Sequence, residues 1–373
     1  MNNILLITML LVDLLVILPT ALIPYFTRKT ELFGVSLPAS QSDNPACKKL
    51  RAAYCSIMLA LGAVLLLSTW LIMDDDVKTL LAAMGVMCGY LVVSFVLYLF
   101  MHNKMLALKA TQKWQSPYDG VPAVVMATAE PRGGELVSPA WMLLYPLILL
   151  LTIMGIAIAW PYVPDPYPTH FNAAGIADAW SAKTIGSVSF LLILQAVMDV
   201  IFVGVYFIIK HAKRQIDAQN PEKSAAQLRV YRRTMSAMLT FLGVATALLM
   251  GAIQVFTIVP DYVSPGLVLA ISIPAYLAVT VIACVIMYRV GQGGSRVKVS
   301  NAPAVSAKQV NINDDKHWLL GLFYYNRNDP AMFVEKRFGV GYTINLGKPI
   351  MLCAGILLIL LVVGSLVWTF TLI

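Results

Sequence analysis

Charge is what this sequence has least of. Of its 373 residues only 12% are Asp, Glu, Lys or Arg, while 59% are hydrophobic. The mean hydropathy is +0.76. So little polar surface cannot cover a soluble globule of this length, which excludes that class and leaves a polytopic membrane protein. Other shortages narrow the chemistry. Five cysteines form no CxxC pair, so neither a disulfide framework nor a thiolate metal site is expected; they read as small packing residues. No Lys or Arg precedes the first apolar run, which predicts an uncleaved first helix rather than a signal peptide. Short alternating segments are missing too, which excludes a barrel.

What is present is apolar length. Eight runs reach the ~20 residues that a helix needs to cross a hydrocarbon core. They lie near 3–25, 55–73, 80–101, 140–160, 184–209, 234–257, 265–288 and 350–371. The predicted fold is an all-α polytopic bundle of eight transmembrane helices. Lys and Arg split 25 to 2 between alternate connections, so the positive-inside rule puts both termini outside and the basic connections in the cytoplasm. The same distribution explains the net charge of +8 and argues against nucleic-acid binding, which gathers basic residues and stacking aromatics on one surface.

The chain divides accordingly. Residues 1–139 hold three spans and two cytoplasmic loops; 140–209 is a helix pair carrying an outer loop at 161–183; 210–289 holds spans six and seven. Residues 290–349 are a linker and a small cytoplasmic module, and 350–373 the last helix. In the module, aromatic and β-branched residues flank an Asn-Arg-Asn-Asp-Pro turn, which predicts a hairpin-based unit too small to stand alone. Gly339 and Gly341 allow bends in a strand; the context of a dinucleotide fingerprint is missing. Trp318, Tyr324 and Tyr325 fit an interfacial aromatic anchor.

Within the spans three polar residues require a reason: Asp13 in the first, Gln195 and Asp199 in the fifth, the last two four residues apart on one helical face. An acid at mid-membrane faces the bundle interior and is protonated or paired. Two readings follow: a proton or cation path in a transporter, or glue between helices, with the missing broken-helix repeats favouring glue.

The outer loop is the most distinctive stretch. Prolines 161, 164, 166 and 168 deny it a helix. Asp165, His170, Asn172 and Asp178 offer oxygen and nitrogen ligands. A catalytic zinc would want a second histidine or a thiolate, and His102, His211 and His317 are cytoplasmic in this topology. No metal site or cofactor is therefore expected. A hydrolase built on His170 with Thr169 or Ser181 lacks an oxyanion-hole context. The plainer reading has His170 and Asn172 closing turns, Asn172 to Gly175 forming a tight turn, and Trp180 anchoring the loop at the interface.

The run Pro164-Asp-x-x-Pro168-x-His170-Phe171-Asn172-x-x-Gly175-x-x-Asp178-x-Trp180-x-x-Lys183 resembles the loop of the SdpI-like bacterial membrane proteins. Leu32-Phe-Gly-Val-x-x-Pro38 looks like a second family feature. Trp318-x-x-Gly321-x-x-Tyr324-Tyr325-Asn326-x-x-Asp329-Pro330, continuing to Asn345, is similar to an uncharacterised domain that accompanies the loop. The resemblance implies immunity to secreted membrane-active peptide toxins, with their presence relayed to a cytoplasmic regulator. After the fifth span the chain departs from the immunity pattern. The expected protein is thus a multi-pass, non-enzymatic component of the bacterial plasma membrane. Its outer loop (Asp165, His170, Phe171, Asn172, Asp178, Trp180) would recognise a peptide toxin or envelope ligand, and its module (Trp318, Tyr324, Tyr325, Asn326, Asn345) would couple to a regulatory protein. The alternatives are a transporter of a cation or small amphiphile using Asp13 and Asp199, and a surface metal-dependent enzyme using His170.

Overall fold

The structure, a computed structural model, describes residues 3–72, 77–114, 134–171, 177–214, 221–259, 261–299, 315–356 and 360. It is mostly helical. Its long helices are α1 (Asn3–Phe26), α2 (Pro45–Ile72), α3 (Val77–Thr111), α4 (Leu144–Ala159), α5 (Ile185–His211), α6 (Pro221–Thr257) and α7 (Pro265–Val290). Among the described residues seven helical stretches are long and apolar enough to cross a membrane. The last expected run, 350–371, is helical at 349–356 and at 360, and its remainder lies outside the described residues.

Helices α1, α2 and α3 pack in sequence, as do α4, α5, α6 and α7, with α6 central to the second set and α1 touching α7. Large apolar side chains such as Leu67, Val92, Phe190 and Val200 remain exposed, which suits a bilayer as their environment. Three helices outrun their apolar segments. α2 starts at Pro45, α3 ends at Thr111 and α6 starts at Pro221, where the sequence had predicted spans beginning near 55, ending near 101 and beginning near 234. The added turns each bury one face: Cys47 and Tyr54 on α2, Met105 on α3, Leu228 and Tyr231 on α6. Much of the basic connections is therefore projecting helix.

Among the described residues there are also four two-stranded antiparallel hairpins. They pair β1 (Glu31–Leu32) with β2 (Val35–Ser36), β3 (Tyr167–Phe171) with β4 (Ala177–Ser181), β5 (Trp318–Leu319) with β6 (Phe323–Tyr324), and β7 (Phe333–Glu335) with β8 (Tyr342–Ile344). A parallel bridge from Tyr324 to Asn345 joins the last two. The Asn326–Pro330 segment, expected as the turn of one hairpin, instead links two hairpins. The β3–β4 hairpin sits at the end of the bundle where α4 leads into α5. The other three lie at the opposite end.

Candidate functional site

At the first end, the root of β3–β4 is built from the helices beneath it. Val163 and Tyr167 are buried with Ile156, Val188 and Ile258. Lys183 closes the base: its Nζ donates to the Val163 carbonyl at 2.9 Å, it lies 5.2 Å over the Trp160 ring, and its N–H donates to Asp165 Oδ1 at 3.0 Å. Asp165 and Lys183, both expected in the loop site, thus hold its stem. Thr184 and Ser187 then form a reciprocal cap at the start of α5. In the strands Pro168 faces Trp180 and Phe171 faces Ala177, with register shifts around His170. Trp180 is 56% exposed. The backbones of His170, Phe171 and Asp178 are placed by this pairing, whereas Asn172, Gly175 and the expected tight turn lie outside the described residues.

The intramembrane acids separate. Asp13 accepts a hydrogen bond from Thr69 Oγ at 2.7 Å, both buried, which ties α1 to α2. Gln195 and Asp199 are buried one turn apart on α5.

At the second end the C-terminal module has its own small core of Trp318, Tyr324 and Val334. Trp318 and Tyr324 are therefore core residues rather than an interfacial anchor; Tyr325 alone of the three is exposed. Asn345 is the clasp. Its Nδ2 donates to the carbonyls of Asn326 and Ala331, each at 2.9 Å, and its Oδ1 accepts from Asn326 N and Gly347 N, each at 3.0 Å. Asp329 Oδ1 accepts from Ala331 N at 2.9 Å and its Oδ2 from the Tyr324 hydroxyl at 2.7 Å. Gly339 and Gly341 take positive φ of 92° and 105° in the β7–β8 turn.

The module is docked by contacts from nearly every helix end around it. Gly34 and Gly321, at φ of 76° and 69°, bring the β1–β2 and β5–β6 turns together so closely that a Cβ on Gly321 would stand 2.7 Å from the Gly34 Cα. The Tyr98 hydroxyl donates to Leu320 O at 2.8 Å, and the Phe338 ring packs tilted against the Tyr98 ring with centroids 4.4 Å apart. Arg28 pairs with Glu335, Lys109 with Asp315 at 2.6 Å and Lys213 with Asp329 at 2.5 Å. The Lys213 N–H also donates to Phe333 O at 2.9 Å. Gln292, past α7, accepts from the Tyr231 hydroxyl at 2.7 Å and exchanges bonds with both backbone atoms of Gly341. Arg337, fully buried, pairs with Asp315 and covers Trp318.

Electrostatics follow from this packing. Burial disfavours ionised Asp315, but Arg337 and Lys109 outweigh it and hold the carboxyl below its ordinary range. Burial likewise opposes Asp329 ionisation, and the bonds from Lys213 and Ala331 overcome it. Glu31 goes the other way. Desolvation pushes it to about 7, against the pull of Arg28 and Arg337 and with help from Glu335 and Asp315. In the sequence Arg28, Lys109 and Lys213 are indistinguishable from orientation charges, and no motif there marks Glu31, Asp315, Glu335, Arg337 or Gln292. The signal that could have found them is a carboxylate-bearing aromatic segment following so many uncompensated basic connections.

Among the described residues no three His, Cys, Asp or Glu side chains gather as a metal site. α5 begins at a rooted hairpin and ends on a clamped module.

Two family models match parts of the chain. A domain of unknown function, DUF1648, covers residues 147–195, the stretch that carries α4, the β3–β4 hairpin and the first part of α5. A family of unknown function, DUF5808, covers residues 327–350, the clasped half of the module. No curated protein and no solved structure matches the chain.

Proposed function

We propose that this chain is a bacterial plasma-membrane protein of the SdpI-like immunity and signalling kind. In this reading it has eight spans, with both termini and the β3–β4 hairpin outside and the module in the cytoplasm. The hairpin meets a membrane-active peptide or an envelope ligand, and the module presents the resulting state to a regulatory protein. The observation that carries the reading is the continuity of α5. Its first turn is capped by Thr184, three residues beyond β4, and just past its last turn Lys213 holds Asp329 and Phe333. A ligand can move such an equilibrium only by binding one arrangement more tightly than the other. A helix joined to both ends offers that differential contact, since a tilt or rotation of α5 alters the hairpin root and the module clamp together.

The two acids bear unequally on the transport alternative. Asp13, satisfied by Thr69, behaves as glue.

The test is protection. Expressing the chain in a strain sensitive to a secreted membrane-active peptide should raise survival, and His170→Ala with Asn172→Ala should abolish the gain at equal membrane abundance. Equal survival with and without the chain across a panel of such peptides contradicts the proposal.

A further inference from the structure

The Gln195–Asp199 face of α5 differs from the other buried polar positions in the helices. Gln195 is 0% exposed and Asp199 8%. Both amide atoms of Gln195 and the Asp199 Oδ2 have no hydrogen-bond partner among the described residues. Their neighbours along the same helix group are bonded. Thr152 on α4 donates to Ile148 O at 2.9 Å, Gln254 on α6 donates to Val188 O at 3.0 Å, and Thr240 on α6 donates to Ser236 O at 2.8 Å. Asp13, in the other helix set, has Thr69.

A carboxylate in this position would be an uncompensated charge. Among the described residues no cationic side chain forms an ion pair with Asp199. Phe202, in the turn of α5 that follows Asp199, packs against the Tyr145 phenol on α4. That ring is buried with Ile148 and with Ala247 of α6, and Phe202 and Val203, the next turn of α5, complete the layer with Val244. Such surroundings disfavour the ionised form and accept the neutral acid, which offers one donor and one acceptor. Gln195, one turn away, offers the complementary acceptor and donors.

We infer that Asp199, assisted by Gln195, is a proton-binding site inside the α4–α5–α6 group. The proton is delivered by hydronium, leaving water, and resides on an Asp199 carboxyl oxygen; its release leaves the carboxylate. A metal cation fits poorly. Calcium takes six to eight oxygens, whereas the hydroxyl of Thr152 is committed to its own backbone and Gln195 presents an NH2 as well as an oxygen. Loading and release alter the charge within α5, and the inference stands whether or not the hairpin binds a peptide.

The experiment is infrared difference spectroscopy of the full chain in lipid, recorded between mildly acidic and alkaline buffer. The expected result is loss of a neutral-carboxyl C=O band on alkalinisation that is missing from Asp199→Asn, retained in Asp13→Asn, and moved to a different midpoint in Gln195→Leu. Asp199→Glu should keep a titrating band at shifted frequency, which separates loss of the site from loss of the fold. Identical difference spectra for the native chain and Asp199→Asn overturn the inference. So does loss of the band on adding sodium or calcium at fixed pH, which would make the site a cation site.

Discussion

The Lys213 ammonium, just past the end of α5, meets the Asp329 carboxylate of the C-terminal module at 2.5 Å with both side chains largely buried. One helix is thereby bound to a module 116 residues further along the chain. Breaking a buried pair from one side leaves an uncompensated charge and costs about 3–5 kcal/mol. Lys213→Ala should therefore release the module, seen as faster amide hydrogen exchange over residues 318–345, while Lys213→Met combined with Asp329→Asn should recover part of the protection. Unchanged exchange in Lys213→Ala would show that the clamp does not hold the module.

The Gly34–Gly321 contact makes a second prediction. Gly321 has φ of 69° and its Cβ would fall within 2.7 Å of the Gly34 backbone. Left-handed backbone costs a non-glycine residue roughly 1–2 kcal/mol, and the overlap adds to that. Gly321→Ala should lower the thermal midpoint of the purified protein and expose the module to protease, whereas Gly339→Ala, with open space around its Cβ, should show the conformational cost alone.

Docking of the module should depend on pH in two limbs. Glu31 has its ordinary value of 4.5 raised to about 7 when docked, so the docked form binds the proton more tightly than the open one. Its contribution is fully present below 4.5 and is lost as pH rises through about 7, a loss of about 3 kcal/mol at ~1.36 kcal/mol per pKa unit. Asp315 and Asp329 are lowered from 3.8, so their contribution is present above that value and lost as pH falls below it. Hydrogen exchange over residues 31–37 and 318–345 should be slowest between the two limbs. Glu31→Gln should flatten the alkaline limb and leave the acid limb, and a mutant with the same alkaline limb would remove Glu31 as its cause.

Between α1 and α2 the Thr69–Asp13 bond should act as glue only. Hydrogen bonds between membrane helices contribute about 0.6–2 kcal/mol. Thr69→Val is expected to cost that much in detergent unfolding, with peptide protection unchanged.

Much of this architecture was readable from the chain. A run of about 20 apolar residues has one way to satisfy its backbone in lipid, so the helices were legible. Four prolines between Pro161 and Pro168 marked where the β3–β4 hairpin interrupts them, and the glycine-punctuated aromatic stretch marked the module. The charged faces of 210–233 read as a helical extension broken at Asn220-Pro221, but the helix extensions of α2 and α3 were not legible, because their apolar stripes are narrow and find partners only in tertiary packing. Nor was the docking centre. Arg28, Lys109 and Lys213 look like any inner-loop cation, and their partners lie 307, 206 and 116 residues away. Trp318 and Tyr324 were misplaced for a related reason: aromatic residues near a span suit an interface as well as a miniature core, and only Val334 and the Asn345 clasp distinguish the two.

Coupling through α5 can be read from a double-mutant comparison of the full chain in lipid. Lys183→Ala loosens the hairpin root, at the end of α5 remote from the module. If α5 transmits that change, amide exchange over residues 333–345 rises in the native background and does not rise further in Lys213→Ala, where the connection is already cut. Exchange in the module that ignores Lys183→Ala, or that rises equally in both backgrounds, would contradict coupling through α5.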